Sequence, residues 1–124
     1  MNLVLIVEDN QRNLKLVRDV LQAKGYATLE AGTAEDGLRL ARERLPQLIL
    51  MDIHLPGMNG IEALKALRAE AATATIPVIA ITASVMQQSV REVMAAGFDA
   101  LIEKPIDVRG FLDTVRRALG TAPA

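Results

Sequence analysis

Apolar residues fall into five short runs along the chain, and polar segments separate them. The runs are Leu3 to Val7, Ala27 to Ala31, Leu48 to Ile53, Val78 to Thr82 and Ala100 to Ile102. They are short, nearly continuous, and rich in aliphatic and β-branched residues, which is typical of buried β-strands. The pattern therefore predicts five strands.

After each run, apolar residues recur every three or four positions, which is the period of an amphipathic helix. The five stripes are Leu14, Val17 and Leu21; Leu38 and Ala41; Ile61, Leu64 and Leu67; Val90, Val93 and Met94; and Val108, Phe111, Leu112, Val115 and Leu119. Thr33 and Asp107 are well placed to cap the second and fifth helices, and Gly25 and Gly97 to end the first and fourth. Strict alternation of buried strands with helices predicts an α/β fold, in which helices cover both faces of a parallel sheet.

Length and composition limit the possible classes of protein. The chain has 124 residues, and we expect one domain over residues 1–120 with a frayed tail at 121–124. Lys and Arg total 14 against 15 for Asp and Glu, so no broad basic field is available to bind nucleic acid. No apolar run approaches the roughly 20 residues that cross a bilayer. Since the opening "MNLVLIVEDN" also has no basic leader, we expect a cytoplasmic protein that does not bind membranes.

Polar residues that could carry chemistry stand where the predicted strands end. Glu8 and Asp9 follow the first strand, Asp52 lies near the end of the third, Thr82 ends the fourth and Lys104 follows the fifth. In a parallel sheet these ends share one edge, and with strand order 2-1-3-4-5 a ligand binds there between strands one and three. The pattern therefore predicts three carboxylates at one site.

Three neighbouring carboxylates repel one another unless a cation compensates them. Oxygen ligands without a His or Cys cluster favour Mg²⁺, which commonly binds one or two carboxylates together with phosphate oxygens. The Thr82 hydroxyl and the Lys104 ammonium group are suitable donors to a phosphoryl group. Asp52 lies between the acidic pair and these two donors, so it is the natural nucleophile for an aspartyl phosphate.

At these positions the sequence resembles the receiver domain of two-component response regulators, and the resemblance covers essentially the whole chain. The matching segments are "VEDN" (7–10), "MDIHLPGMNG" (51–60), "ITAS" (81–84) and "EKPI" (103–106). Each segment is common by itself, but four in this order, each at a strand end, are a specific signal. The resemblance implies a flavodoxin-like fold with sheet order 2-1-3-4-5. It also implies a stand-alone phosphoacceptor of the DivK or CheY type.

The resemblance implies a role for each residue of the site. Mg²⁺ would bind to Glu8, Asp9, Asp52 and the main-chain carbonyl of His54. Asp52 would accept the phosphoryl group from a sensor histidine kinase or a histidine phosphotransfer protein. The protein would catalyse its own phosphorylation and dephosphorylation and act on no separate substrate.

Other groups would contact or respond to the phosphoryl group. The resemblance implies that Lys104 pairs with it, that Thr82 moves toward it, and that the main-chain amides of His54 and Ala83 bind its oxygens. A cis peptide bond between Lys104 and Pro105 is also implied. Downstream proteins would bind the face formed by helix four, strand five and helix five.

One position departs from the family pattern. Receivers often have an aromatic residue three positions before the lysine, and this chain has Leu101 there. The resemblance then implies that the switch depends on Thr82 and on the loop at 83–88.

Simpler interpretations of single residues stay open at this stage. Glu8 and Asp9 could merely cap the first helix, Lys104 could be a surface lysine, and Thr82 could be an ordinary strand residue. His54 is the only histidine, and we expect its side chain to point to solvent, where with Ser84 it could tune the access of water.

Two rival classes lack their expected motifs. An aspartyl-nucleophile phosphatase needs a second Asp two positions after the first, but Asn10 and Gln11 follow Asp9. A flavin protein needs a Gly-rich or hydroxyl-rich phosphate loop and aromatic walls, whereas aromatic residues make up 2% of this chain. A structural or pseudo-receiver module that accepts no phosphoryl group remains the alternative.

Overall fold

The computed structural model describes residues 2–82 and 90–120, apart from the side chains of Val90 and Glu92. Strands and helices alternate along these ranges as predicted. The elements are β1 (Leu3–Val7), α1 (Gln11–Ala23), β2 (Ala27–Ala31), α2 (Ala34–Arg44), β3 (Leu48–Asp52), α3 (Gly60–Ala69), β4 (Val78–Thr82), α4 (Val90–Ala95), β5 (Ala100–Glu103) and α5 (Val108–Ala118). Ala83, Ser84, the rest of the predicted switch loop and the predicted tail lie outside the described residues.

The strands form one parallel sheet in the order β2-β1-β3-β4-β5, which confirms the predicted fold. β1 lies at the point where the order reverses, with β2 on one side and β3 on the other. Val7 is level with Met51 of β3, and Asp52 is level with Ile81 of β4. All strands therefore direct their carboxyl ends to one edge of the sheet.

Helices cover both faces of the sheet because its strands alternate apolar side chains between two cores. Leu5 and Val7 of β1 belong to the core under α2, α3 and α4, whereas Val4 and Ile6 belong to the core under α1 and α5. The predicted stripes are wrong at two positions, since Met94 is 39% exposed and Val108 is 42% exposed. Within the described residues α4 buries Val93, and Val108 is the first residue of α5, ahead of the part of that helix that packs against the sheet.

Side-chain caps fix the helix ends that lie near the carboxyl edge. The predicted caps are confirmed, because Thr33 accepts the N–H of Asp36 and Asp107 accepts the N–H of Gly110. Asn10, and neither Glu8 nor Asp9, caps α1. Within the described ranges, no helix has the length and apolar character needed to span a bilayer.

Candidate functional site

Three carboxylates converge at the carboxyl edge between β1 and β3. Glu8 follows β1 and is 2% exposed, Asp52 ends β3 and is 3% exposed, and Asp9 is exposed to solvent. One carboxylate oxygen from each residue lies within 4.8 Å of the other two. Parallel pairing of β1 and β3 causes this arrangement, because it brings the ends of two strands more than 40 residues apart in sequence to the same height.

Lys104 supplies the positive charge beside the two buried acids. Its Nζ lies 3.0 Å from Oε1 of Glu8 and 3.0 Å from Oδ2 of Asp52. The backbone N–H of Lys104 donates to the carbonyl oxygen of Thr82 at 2.8 Å, and the Lys104–Pro105 peptide bond is cis, as the resemblance implied. One ammonium group thus faces two carboxylates, and with Asp9 the cluster has more negative than positive charge.

This environment separates the pKa values of the two buried acids. Burial is the main cause that raises the pKa of Glu8 to about 7, and a hydrogen bond shared with Asp52 adds to it. Burial acts in the same direction on Asp52, but hydrogen bonds with Glu8, the His54 amide and Lys104 outweigh it and lower the pKa of Asp52. Asp52 is therefore ionised at neutral pH, as a carboxylate nucleophile must be.

The ammonium group of Lys104 is affected in the opposite way. Burial alone lowers the pKa of Lys104, but its hydrogen bonds to Glu8 and Asp52 outweigh burial and raise that pKa. Lys104 therefore remains a cation at neutral pH.

Two further residues of the predicted site lie at the same edge. The main-chain N–H of His54 donates to Oδ1 of Asp52 at 2.9 Å, and the His54 residue as a whole is exposed. Thr82 is buried at the end of β4, one residue beyond Ile81, the register partner of Asp52. Glu8, Asp9, Asp52, His54, Thr82 and Lys104 thus all lie at the predicted edge, and Ala83 is outside the described residues.

Gly60 is a residue of the site region that sequence reasoning missed. It begins α3, and its N–H donates to the carbonyl oxygen of Ile53 at 3.0 Å. A Cβ atom at this position would lie 2.6 Å from the carbonyl oxygen of Asp52 and 2.9 Å from Cα of Ile53. Asn59 and Glu62 form a capping box around it, and the N-x-x-E spacing of these two residues was the available signal for a helix start there.

Comparison with known proteins agrees with the fold. Residues 4–116 match the family model of the response regulator receiver domain. The chain therefore belongs to the response regulator receiver domain family, whose members are the signalling modules of two-component systems. Receivers of this family interact with histidine kinases or phosphotransfer proteins and with downstream targets.

Individual members of the family show which receivers this chain is similar to. The polar-differentiation response regulator DivK of Brucella ovis is 44% identical over 119 residues, which are 96% of this chain and 97% of that protein. The receiver domain of a sensor histidine kinase from Pseudomonas aeruginosa, solved with a magnesium ion coordinated in its active site cleft, has a TM-score of 0.89 at 29% identity. That alignment covers 97% of this chain and 98% of the neighbour. The chemotaxis response regulator CheY4 of Vibrio cholerae has a TM-score of 0.88 at 27% identity, over 95% and 98% of the two chains.

Proposed function

We propose that residues 1–120 act as a stand-alone, cytoplasmic response regulator that is phosphorylated on Asp52 and then changes its binding to protein partners. The observation that supports this most directly is the convergence of three carboxylates, with oxygens within 4.8 Å of one another, beside the ammonium group of Lys104. A structural module would gain no stability from placing an excess of negative charge at a partly buried site.

The chemistry is the transfer of a phosphoryl group from a phosphohistidine donor. A carboxylate oxygen of Asp52 forms a bond to phosphorus while the bond between phosphorus and the donor's imidazole nitrogen breaks, and that nitrogen keeps the electron pair. Lys104, the Thr82 hydroxyl and the main-chain amides of His54 and Ala83 stabilise the negative charge on the phosphoryl oxygens. The same groups assist hydrolysis when water later attacks phosphorus, so the protein catalyses both steps on itself.

The donor set fits Mg²⁺, which prefers hard oxygen ligands and keeps several waters. Glu8, Asp9, Asp52 and the main-chain carbonyl of His54 would hold the ion. When bound, Mg²⁺ neutralises charge on the carboxylates and on the incoming phosphoryl group. The magnesium ion in the Pseudomonas aeruginosa receiver supports this assignment.

Phosphorylation would act as a switch because contacts to the phosphoryl group are available in only one of two conformations. Movement of Thr82 and of the loop at 83–88 would transmit the change. Leu101 is half-buried on β5, and it has no aromatic ring to rotate. Downstream proteins would bind the face formed by α4, β5 and α5.

Mass spectrometry after incubation with acetyl phosphate and Mg²⁺ tests the proposal. Wild type should gain one phosphoryl group, located by peptide mapping on Asp52, and Asp52→Asn should gain none. Asp36→Asn is the matched control, since Asp36 is exposed on α2, and it should be modified like wild type. Equal modification of Asp52→Asn would refute the assignment of Asp52 as the nucleophile. A wild type that is neither phosphorylated nor able to bind beryllofluoride would be a pseudo-receiver.

A further inference from the structure

A groove of about 600 Å³ follows one flank of α5 and ends near the junction of α1 and β2. Its apolar lining comes from Tyr26, Val108 and Leu112, of which Val108 is 42% exposed and the other two are half-buried. No residue of the proposed phosphorylation site lines this groove. The apolar surface there is thus unexplained by the proposed function.

The polar lining of the groove is mostly basic. Lys24 and Arg109 are exposed, and neither forms an ion pair with any residue in 2–82 or 90–120. Arg116, also in the lining, is paired with Asp113, the groove's one acidic residue. The groove therefore has a net positive charge, although acidic residues slightly outnumber basic ones in the chain as a whole.

The opposite flank of α5 has a different neighbour. Thr114, Arg117 and Ala118 line a second cavity together with Ala100 and Leu101 of β5. β5 and α5, which line that cavity, are two of the three elements that form the face the proposed switch would use. The two flanks of α5 can therefore be tested separately.

We propose that the first groove, lined by Lys24, Tyr26, Val108, Arg109 and Leu112, binds an acidic amphipathic helix of a partner protein. Val108 and Arg116 are eight residues apart, so the groove follows α5 for about 12 Å at 1.5 Å per residue, or roughly two helical turns. Apolar side chains at positions i, i+4 and i+7 of the partner would cover Tyr26, Val108 and Leu112.

Charge complementarity indicates the sign of the partner's charge and the class of macromolecule to which the partner belongs. Glu or Asp beside the partner's apolar stripe would pair with Lys24 and Arg109, which have no acidic partner in the described part of the chain. Nucleic acid fits less well, because its backbone requires several phosphate contacts and gains nothing from an apolar floor. The proposal does not depend on phosphorylation of Asp52.

A display library of helical 14-residue peptides, selected against the full chain without a phosphoryl donor, tests this proposal. Enriched peptides should combine an apolar stripe of period three to four with a net negative charge. Binding of a synthesised winner, measured by fluorescence anisotropy, should weaken at least tenfold for the double variant Lys24→Glu, Arg109→Glu. Arg117→Glu, which alters the other flank, should bind like wild type.

Circular dichroism melting curves must show that the double variant folds like wild type, as expected for two exposed residues that form no ion pair within residues 2–82 and 90–120. Failure to enrich peptides above background, enrichment of basic or uncharged peptides, or equal binding by the double variant would each overturn the proposal. If a double-stranded oligonucleotide bound at physiological salt and lost binding in the same double variant, the groove would be a nucleic-acid site instead.

Discussion

The two edges of the sheet use similar charged residues in different ways. At the amino edge, Arg68 donates to the carbonyl oxygens of Ala74 and Ile76 at 2.9 and 2.7 Å, and it pairs with Asp99 at 3.1 Å. The same oxygen of Asp99 accepts the N–H of Val78 at 2.8 Å. One cation meets one anion there, and backbone carbonyl oxygens accept further N–H groups of the guanidinium.

At the carboxyl edge the charges do not balance. Lys104 faces Glu8 and Asp52 together, and Asp9 adds a third acid. The cluster at Arg68, in which the charges balance, stabilises the loops that lead into β4 and β5. In the proposed function, a cation and a phosphoryl group bind to the cluster at Asp52, in which the charges do not balance. The comparison suggests that unbalanced charge is the mark of a site that binds a ligand.

Among substitutions that alter the charges at the two edges, Lys104→Ala should have the largest effect. Removal of one preorganised charged donor typically slows a reaction by about a hundredfold or more, and the variant also leaves Glu8 and Asp52 without their cation. The rate of phosphorylation by acetyl phosphate, followed by mass spectrometry, should fall by about that factor. Lys65→Ala, at an exposed position of α3, is the control and should react at the wild-type rate.

Gly60→Ala should produce the next largest effect, because its Cβ would press on the backbone of Asp52 and Ile53 at 2.6 and 2.9 Å. Overpacking against backbone costs typically about 1–3 kcal/mol, and here it would also displace the phosphoacceptor. Urea unfolding and the phosphorylation rate should both change. Gly32→Ala is the matched control, since a Cβ at Gly32 meets no atom within 4 Å, and unaltered behaviour of both variants would contradict the positioning role of Gly60.

Arg68→Ala should destabilise the fold without altering the chemistry at Asp52. Loss of its hydrogen bonds leaves Ala74 and Ile76 carbonyl oxygens and the Asp99 carboxylate with fewer donors, at a cost of about 1–3 kcal/mol. The midpoint of urea unfolding should fall, while the folded fraction should still be phosphorylated at the wild-type rate. A large loss of rate with unchanged stability would mean that the two edges are not separable.

Glu8 should make the stability of the fold depend on pH. Its pKa rises from 4.5 to about 7 in the folded chain, so between these values the native state holds a proton that the unfolded state has lost. The stability that Glu8 contributes should therefore be complete below about pH 4.5 and lost as the pH rises to about 7. Without Mg²⁺, wild type should lose more stability than Glu8→Gln between about pH 5 and 7.5, and parallel urea-unfolding profiles would contradict the raised pKa.

Sequence alone determined the element order, the parallel sheet and the edge at which the polar residues meet. Those properties follow from the spacing of apolar residues along the chain and from the rule that parallel strands end at the same edge. They could therefore be predicted without any interatomic distance. Asn10 as the cap of α1 was missed because Asp9 and Asn10 are both favoured N-cap residues, and only the backbone geometry decides between them. The exposure of Met94 and Val108 was missed because a helical stripe predicts which side of a helix faces the sheet, but not how much of that side the sheet covers.

Only the tertiary structure decided how the polar residues interact. Lys104 and Asp52 are 52 positions apart, and their 3.0 Å contact depends on the register of β1, β3, β4 and β5 together. The raised pKa of Glu8 and the lowered pKa of Asp52 depend on burial and on shared hydrogen bonds, which residue identity does not specify. The close approach of Gly60 to Asp52 likewise depends on where α3 packs, because contacts between distant segments arise only when the whole chain is folded.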